Sequence, residues 1–308
     1  MKLITYRKLN SAILTGVVVQ ERILDISAWV AALPVSVDTH RHTAAAGIRP
    51  ASCGILRWLQ SGPDAIATLQ RHVQSALENS AMQWDLIKDV QLYAPVPRPG
   101  KIIGVGRNYA DHAKETGVAP FEHPRIIFKA ASSVTAPGAP VPRPTLVTKL
   151  DFEVELAVVI GGYGKNVLEE DALSLVAGYT ILNDLSAREF QLDTTPPQTT
   201  FAKSMDGFAP MGPWIVTRDE IPDPQTLEVS TWLNDHRMQH GHTADMLFPV
   251  ATLIAYISQY MTLEPGDIIS TGTPAGIGAF RQPPQYLQPG DQLRFEVTGV
   301  GTMAHRIV

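Results

Sequence analysis

The sequence has almost no cysteine: Cys53 is the only one among 308 residues. A single cysteine excludes an internal disulfide, and this scarcity is typical of a chain that works in a reducing compartment. Cys53 stands in the loop-like context Ala-Ser-Cys-Gly, without an accompanying catalytic signature. We therefore interpret it as chemically inert.

Long apolar segments and an excess of charge are lacking as well. No stretch approaches the roughly 20 apolar residues that a membrane span requires. Polar residues interrupt Met1–Asn10 too early for a signal peptide. The formal net charge of −5 leaves no basic footprint for nucleic acid or an anionic membrane surface. We expect a cytoplasmic protein that binds neither nucleic acid nor membrane.

Prolines mark the clearest internal boundary. Three of them fall within Ala94–Gly100 (APVPRPG), which excludes both a helix and a central strand there. The length allows one large domain or two unequal ones. We predict a small N-terminal α/β domain over residues 1–95 and a main domain over residues 96–308. The number of short predicted strands makes the fold class α+β and strand-rich.

Acidic residues are concentrated on one predicted strand, Asp151–Ile160 (DFEVELAVVI). Because strand side chains alternate, Glu153 and Glu155 share a face with Asp151, while residues 157–160 are apolar on both faces and enter a core. Asp184 ends the next predicted strand, residues 177–184. Three carboxylates that meet at such strand ends form an all-oxygen shell that suits Mg2+. A solvated acidic edge strand is the alternative, and spacing alone favours it.

Three basic residues are candidates to accompany that acidic set. Carboxylates around a divalent ion retain a net negative charge, so an anionic substrate needs cations close by. The candidates are Lys129, Arg188 and Lys203.

Two further patterns point to chemistry. His112 and Glu115 lie three positions apart on a predicted helix that Asn108 can cap. A carboxylate beside an imidazole fixes its tautomer and raises its basicity, as a general base requires, although a surface contact is the commoner outcome at this spacing. Small residues in Ser270–Gly278 (STGTPAGIG) let backbone amides approach an anion, with a simple turn as the alternative.

Considered as a set, five segments over residues 95–308 resemble those of the fumarylacetoacetate hydrolase family in order and spacing. The segments are Gly106–Glu115 (GRNYADHAKE), Glu153–Glu155 (EVE), Asn183–Glu189 (NDLSARE), Ala202–Ser204 (AKS) and Ser270–Gly276 (STGTPAG). The resemblance implies a mixed β-roll, a homodimer, and Mg2+ or Mn2+ held by Glu153, Glu155 and Asp184. The founding hydrolase has one more aspartate ligand ahead of the histidine segment. Here that stretch reads Gly-Val-Gly, so we expect the three-carboxylate form.

The resemblance also implies roles for the residues around the acids. His112 and Glu115 are the expected general-base pair, on a segment that orders over the substrate, and Lys203 is the expected stabiliser of an enolate. The residues expected to contact a small 2-oxo acid substrate are Arg107, Lys129, Arg188, Gln191, Gly272 and Thr273.

The implied activity is that of a metal-dependent hydrolase in aromatic catabolism. It would cleave a carbon–carbon bond of a 2,4-dioxo acid, such as an acylpyruvate or fumarylpyruvate, through a metal-bound enolate of pyruvate. Decarboxylation of oxaloacetate, or tautomerisation or isomerisation of an oxo acid, remains open because the same metal site serves all these reactions. An alternative of another class is a noncatalytic oxo-acid-binding descendant. The complete set of acids with a His–Glu pair argues against it.

Overall fold

The computed structural model describes residues 1–33, 54–62, 64–115, 117 and 119–308. Cys53, interpreted above as inert, lies outside the described residues.

In the first part of the chain, the described residues form short strands and three helices. The elements are β1 (Lys2–Arg7), β2 (Ile13–Val19), β3 (Arg22–Asp25), α1 (Ser27–Ala32), α2 (Gly54–Leu59), α3 (Ala65–Glu78), β4 (Asp85–Leu86) and β5 (Gln91–Tyr93). Helix α3 buries Leu69, Val73 and Ala76, which lie on one face at helical spacing.

The remainder is dominated by strands. The elements are β6 (Ile102–Gly106), α4 (Ala110–Glu115), β7 (Arg125–Lys129), β8 (Val134–Thr135), β9 (Leu150–Asp151), β10 (Val154–Ile160), β11 (Val176–Asn183), β12 (Ser186–Ala187), α5 (Thr199–Ala202), β13 (Ala209–Thr217), β14 (Glu228–Leu233), β15 (His236–His242), α6 (Val250–Tyr260), β16 (Ile268–Ser270), β17 (Gln292–Val297) and β18 (Gly301–Arg306). The strand-rich class predicted from the sequence is confirmed.

The strands form a large mixed sheet and two smaller antiparallel ones. Along the large sheet the order is β4-β3-β2-β1-β13-β11-β10-β16-β6-β7, with β5 beside β1 and β8 beside β13. The pairs β16–β6 and β13–β8 are parallel, and the other pairs of this sheet are antiparallel. The four-stranded sheet has the order β15-β14-β17-β18, and β9 pairs with β12.

The N-terminal strands extend the large sheet of the main part. Strand β1 pairs with β13, placing Lys2 opposite Val216 and Leu3 opposite Ile215. Leu3 belongs to a core cluster that also contains Ala157 of β10. The division of the chain near residue 95 stays a prediction, and the residues on its two sides share one sheet and one core.

Strand β10 lies between β11 and β16 in the large sheet and is buried along its whole length. Leu156 and Val158 belong to a core cluster shared with the four-stranded sheet and α6, whereas Ala157 and Val159 belong to a second cluster that includes α2 and α3. By alternation, Glu155 shares the face of Ala157 and Val159, at the end where that apolar face stops. The buried Glu155 carboxylate therefore lies where this apolar face of the strand ends.

The prediction of an uninterrupted strand from Asp151 to Ile160 is wrong at Phe152 and Glu153. Asp151 ends β9, and β10 begins at Val154. At this break, two backbone N–H groups donate to side chains instead of to the backbone of a neighbouring strand. The Glu153 N–H donates to Asn183 Oδ1 at 3.0 Å, and the Val154 N–H donates to Gln239 Oε1 at 3.1 Å. Both partners are remote in sequence, so strand periodicity gives no sign of them.

Candidate metal centre and active site

The three predicted metal ligands lie together. Glu153 precedes β10, Glu155 is its second residue, and Asp184 follows β11 directly, with its N–H donating to the Glu153 carbonyl at 2.9 Å. One carboxylate oxygen of each residue lies within 4.8 Å of the others, and all three side chains are buried. Antiparallel pairing of β10 with β11 brings these strand ends to one edge, as the sequence predicted.

Two of the predicted cations, Lys203 and Arg188, form hydrogen bonds with these acids. Lys203 Nζ donates to Glu153 Oε2 at 2.9 Å, to Asp184 Oδ2 at 2.7 Å and to Ser186 Oγ at 2.8 Å. Arg188 donates to Glu153 Oε1 at 2.7 Å. All three N–H donors of the Lys203 ammonium are therefore used in hydrogen bonds within the protein. Lys203 can then stabilise a bound ligand through its positive charge.

The two glutamates differ sharply in electrostatic environment. Burial would raise the pKa of Glu153, but the charges of Lys203 and Arg188 outweigh it and hold that pKa well below its usual range. Burial, together with the charges of Asp184 and Glu153, raises the pKa of Glu155 to about 8. No ion pair to Glu155 occurs among the described residues. Among the described residues, Glu155 is thus a buried acid without a direct ion-pair partner.

The loop after β16 binds the protein's own carboxylates. Ser270 Oγ donates to Glu155 Oε2, and the Gly272 N–H donates to the same oxygen at 3.0 Å. The Gly276 N–H donates to Glu115 Oε1 at 3.1 Å. Gly272 has φ +99°, and a Cβ there would lie 2.8 Å from the Asn108 Cβ, so only glycine fits. The predicted anion-binding amides orient acids of the site.

The predicted His–Glu pair is present on α4. His112 Nδ1 lies 3.0 Å from Glu115 Oε2, and His112 is 5% exposed. A carboxylate facing Nδ1 fixes the proton on that nitrogen and leaves Nε2 as the basic atom. The predicted capping role of Asn108 is wrong, because its side-chain amide donates to the carbonyls of Phe248 and Thr271 and accepts from the Phe248 N–H. Asn108 instead anchors the start of the segment to two distant loops.

A cavity of about 250 Å³ is lined by both the three acids and His112. The predicted site residues that line it are Arg107, His112, Glu153, Glu155, Asp184, Arg188, Gln191, Lys203 and Thr273. Lys129 and Gly272, predicted to contact substrate, do not line it. Lys129 Nζ is buried against Asp184 Oδ1 at 2.6 Å and the Lys203 carbonyl, and Gly272 faces Glu155. Lys129 and Gly272 thus hold the side chains of two predicted metal ligands, Asp184 and Glu155, in position.

Sequence reasoning missed Asp151 as a site residue. Its carboxylate is fully buried and accepts from Arg188 Nε at 2.8 Å, from the Gly278 N–H at 2.7 Å and from the Ala279 N–H at 2.9 Å. It therefore fixes both Arg188 and the loop whose Ile277 and Phe280 line the cavity. A signal was present, since the alternation placed Asp151 beside Glu153 and Glu155.

We expect Asp151→Asn to lower the free energy of unfolding by about 3–5 kcal/mol, because the change leaves the Arg188 guanidinium buried beside a neutral amide. Urea denaturation measures the loss. Asp193→Asn is the matched control: Asp193 pairs with Lys149 at a site where both side chains are exposed, and solvent screens such pairs so that they contribute little to stability. Equal losses in the two variants would contradict the assigned role.

A buried histidine, His305, contacts Asn183, the residue that precedes Asp184. Asn183 uses Oδ1 to accept from Glu153, so its amide nitrogen donates to His305 Nε2 at 3.1 Å, and the His305 proton resides on Nδ1. The ring stacks on Phe295 with centroids 5.3 Å apart. Burial lowers the pKa of His305 from 6.5 to about 3.

This histidine predicts a loss of stability in acid. Between pH 6.5 and 3 the unfolded chain binds a proton that the folded chain excludes. The free energy of unfolding should therefore fall as pH drops below 6.5, by about 1.4 kcal/mol per pH unit from this group. In His305→Gln the side-chain oxygen can still accept from Asn183 but does not titrate. Denaturant unfolding should show the stability of this variant falling less steeply with pH; parallel curves would reject the assignment.

The donor set fits a hard divalent cation. Three buried carboxylates offer only oxygen, with neither the thiolate nor the imidazole that softer metals select. Such a cation would give Glu155 the direct positive partner that it lacks among the described residues.

Comparison with known proteins places these segments in context. The sequence model of the fumarylacetoacetate (FAA) hydrolase C-terminal domain matches residues 101–308. The chain is 42% identical over 220 residues to mitochondrial oxaloacetate tautomerase FAHD2A of Homo sapiens, covering 71% of this chain and 70% of the relative. The structure of maleylpyruvate hydrolase from Sphingobium sp. SYK-6, in complex with manganese(II) and pyruvate, is similar with a TM-score of 0.78 and 30% identity, covering 100% of this chain and 99% of that one. The fumarylacetoacetate hydrolase of Exiguobacterium antarcticum gives a TM-score of 0.76 and 32% identity over the same shares.

Proposed function

The chain belongs to the fumarylacetoacetate hydrolase family, an enzyme family, and from that premise we propose that it is a divalent-metal-dependent hydrolase of 2,4-dioxo acids. The observation that carries the proposal is the buried set of Glu153, Glu155 and Asp184 in one cavity with His112, whose Nδ1 is held by Glu115. Acids alone would support a metal site of any purpose. A basic imidazole beside them adds the group that hydrolysis needs.

Glu153, Glu155 and Asp184 would hold Mg2+ or Mn2+. When bound, such an ion supplies Lewis acidity to the oxygens of the 2-oxo acid. The manganese and pyruvate in the Sphingobium maleylpyruvate hydrolase structure support this part of the proposal, and the choice between the two metals belongs to it.

The protein's own groups divide the chemistry between them. His112, held by Glu115 through Nδ1, accepts a proton from water at Nε2 as the water oxygen attacks the 4-carbonyl carbon. The bond between carbons 3 and 4 then breaks, giving a carboxylic acid and the enolate of pyruvate. The Lys203 charge stabilises that enolate until carbon 3 takes up a proton, and return of the proton that His112 removed from water closes the balance. Water and dioxo acid are consumed one to one, and no oxidant is required.

Tautomerisation of oxaloacetate is a second candidate. The name of the Homo sapiens relative, with 42% identity, favours it. The reaction needs a base to move a proton between carbon 3 and the 2-oxo oxygen, and His112 in the same cavity could serve. It requires no attacking water.

A product assay separates the candidates. Purified protein with Mg2+ or Mn2+ is incubated with fumarylpyruvate and pyruvate is measured; in parallel, the ultraviolet absorbance of enol oxaloacetate is followed. We expect pyruvate release. Absorbance decay of the enol without pyruvate would favour the tautomerase, and liberation of CO2 from oxaloacetate would indicate a decarboxylase. Metal binding without turnover of any 2-oxo acid would favour the noncatalytic alternative.

Two broader expectations belong to the same proposal. The homodimer should give a solution mass of twice the 33.5 kDa chain in light scattering. The cytoplasmic location stays a prediction, since the Homo sapiens relative carries a mitochondrial name. Within the described residues, no helix has both the length and the apolar character needed to cross a membrane.

A further inference from the structure

Two arginines line the active-site cavity without an acidic partner. Arg107 follows β6, and Arg125 is the first residue of β7, paired across the ladder with Gly106. Both side chains line the cavity. Among the described residues, neither guanidinium forms an ion pair or a side-chain hydrogen bond. Cationic groups kept together without a partner are typical of a site for an anion.

The backbone is shaped to hold them there. Gly106 lies close to the Arg125 side chain: a Cβ at residue 106 would meet Ile127 Cδ1 at 3.1 Å and would touch Arg125 Cδ at 3.4 Å. Arg107 has φ +58°, a conformation that residues with a Cβ rarely adopt and that is concentrated at functional sites. The Phe121 ring lies 5.6 Å from the Arg107 guanidinium carbon and 5.9 Å from that of Arg125. One aromatic ring thus supports both cations.

The cavity's charges are distributed unequally between these arginines and the acids. Its acidic side chains are Glu153, Glu155 and Asp184, and hydrogen bonds engage Lys203 and Arg188 with that cluster. Among the described residues, Arg107 and Arg125 form no hydrogen bond or ion pair with this acidic cluster. Burial lowers the pKa of Arg107, and the Arg125 charge lowers it further. The two guanidiniums repel each other, and an incoming anion relieves that repulsion.

We infer that Arg107 and Arg125 bind a second carboxylate, at the end of the substrate remote from the 2-oxo acid group. The substrate class is then a short oxo dicarboxylate. This inference rests on the proposed function, because the acid cluster takes the 2-oxo end through its metal. It adds Arg125 to the site and selects a carboxylate-ended substrate over a methyl-ended one.

The size of the cavity and the geometry of the donors support a small diacid. Its volume of about 250 Å³ is below the roughly 300–1,000 Å³ of pockets for drug-sized ligands. Guanidinium groups bind carboxylates through paired parallel N–H donors, a geometry that an ammonium cannot reproduce. A methyl end would leave both arginines without a partner.

A binding experiment tests the inference without turnover. The acids 2-oxoadipate and 2-oxohexanoate differ only in a terminal carboxylate against a methyl group, and neither has the 4-oxo group that cleavage requires. Their dissociation constants are measured by calorimetry on the Mg2+-loaded protein. We expect wild type to prefer the diacid at least about 10-fold, and Arg125→Gln to lower that preference about 10-fold with little change for 2-oxohexanoate.

Two further variants complete the design. Arg125→Lys keeps the charge without the paired donors and should retain an intermediate preference. Arg98→Gln removes an exposed arginine that does not line the cavity and should leave the preference unchanged. Equal affinity of wild type for the two acids, or an equal loss of both in Arg125→Gln, would overturn the inference.

Turnover separates this inference from the proposed reaction. Fumarylpyruvate and crotonylpyruvate again differ by a carboxylate against a methyl group. Equal kcat/KM for the two would support hydrolysis and reject the role of the arginines. Preferential binding of 2-oxoadipate with no pyruvate from either dioxo acid would retain the diacid site and reject hydrolysis.

Discussion

Replacing Glu155 by glutamine is expected to abolish metal binding while leaving the metal-free protein folded. The metal-free protein has no ion-pair partner for Glu155 among its described residues, and its neighbours Asp184 and Glu153 disfavour its charge. Replacing Glu155 by glutamine therefore breaks no ion pair between the described residues and leaves none of their buried cations without a partner. We expect the free energy of unfolding in the presence of EDTA to change by no more than about 1 kcal/mol, or to rise.

Glu153→Gln is expected to behave differently in the same assay. Glu153 pairs with both Lys203 and Arg188, and its loss leaves each of these buried cations with one carboxylate partner instead of two. Breaking a buried pair from one side costs about 3–5 kcal/mol, so this variant should be clearly less stable. The two substitutions have identical chemistry and affect the same cluster, which makes each the control for the other.

Metal binding should be lost in both variants. Removing a partner of a ligand already costs 10–100-fold in metal affinity, so loss of a ligand itself should weaken Mn2+ binding by more than about 100-fold. Calorimetric titration with Mn2+ measures this, and urea denaturation in EDTA measures stability. Retained Mn2+ affinity in Glu155→Gln, or equal stability of the two variants, would show that the cluster is not a metal site of this design.

The contrast between the glutamates also shows what sequence could and could not predict. Alternation along residues 151–160 and the strand end at Asp184 sufficed to gather the three acids, because antiparallel neighbours bring strand ends together. The spacing of His112 and Glu115 likewise predicted their contact. Both predictions rest on local geometry, and the structure confirms the proximity in each case.

The partners of the acids depend on contacts between distant segments. Lys203 was a candidate cation, but its three hydrogen bonds, and therefore its role as a source of charge, follow only from the fold. Lys129 was expected at the substrate and instead lies against Asp184. Asn108 looked like a helix cap and instead joins two loops. A polar residue in one sequence reveals its chemistry but not which of many distant groups it meets.

Removal of the imidazole is the second change with a large expected effect. In His112→Asn, kcat for the 2,4-dioxo acid should fall by about 100- to 10,000-fold, the usual contribution of a positioned general base. Affinity for Mn2+ should be unchanged, since His112 is not among the three grouped acids. Steady-state kinetics and calorimetry measure the two quantities separately. Lys114→Gln, an exposed change on the same helix, is the control for α4 itself.

Glu115→Gln distinguishes a catalytic His112 from a structural one. Glu115 holds His112 with one oxygen and the Gly276 N–H with the other, so glutamine can keep the contact with either group but removes the charge beside the imidazole. If His112 is the base, kcat should fall in this variant too, by less than in His112→Asn, because the ring remains while the negative charge that faces Nδ1 is lost. If His112 merely fills a buried position, both variants should lose stability and keep kcat per folded molecule. Because the base acts only after the substrate is bound, binding of 2-oxoadipate should survive in both variants, and losses of binding parallel to those of kcat would place His112 among the substrate contacts instead.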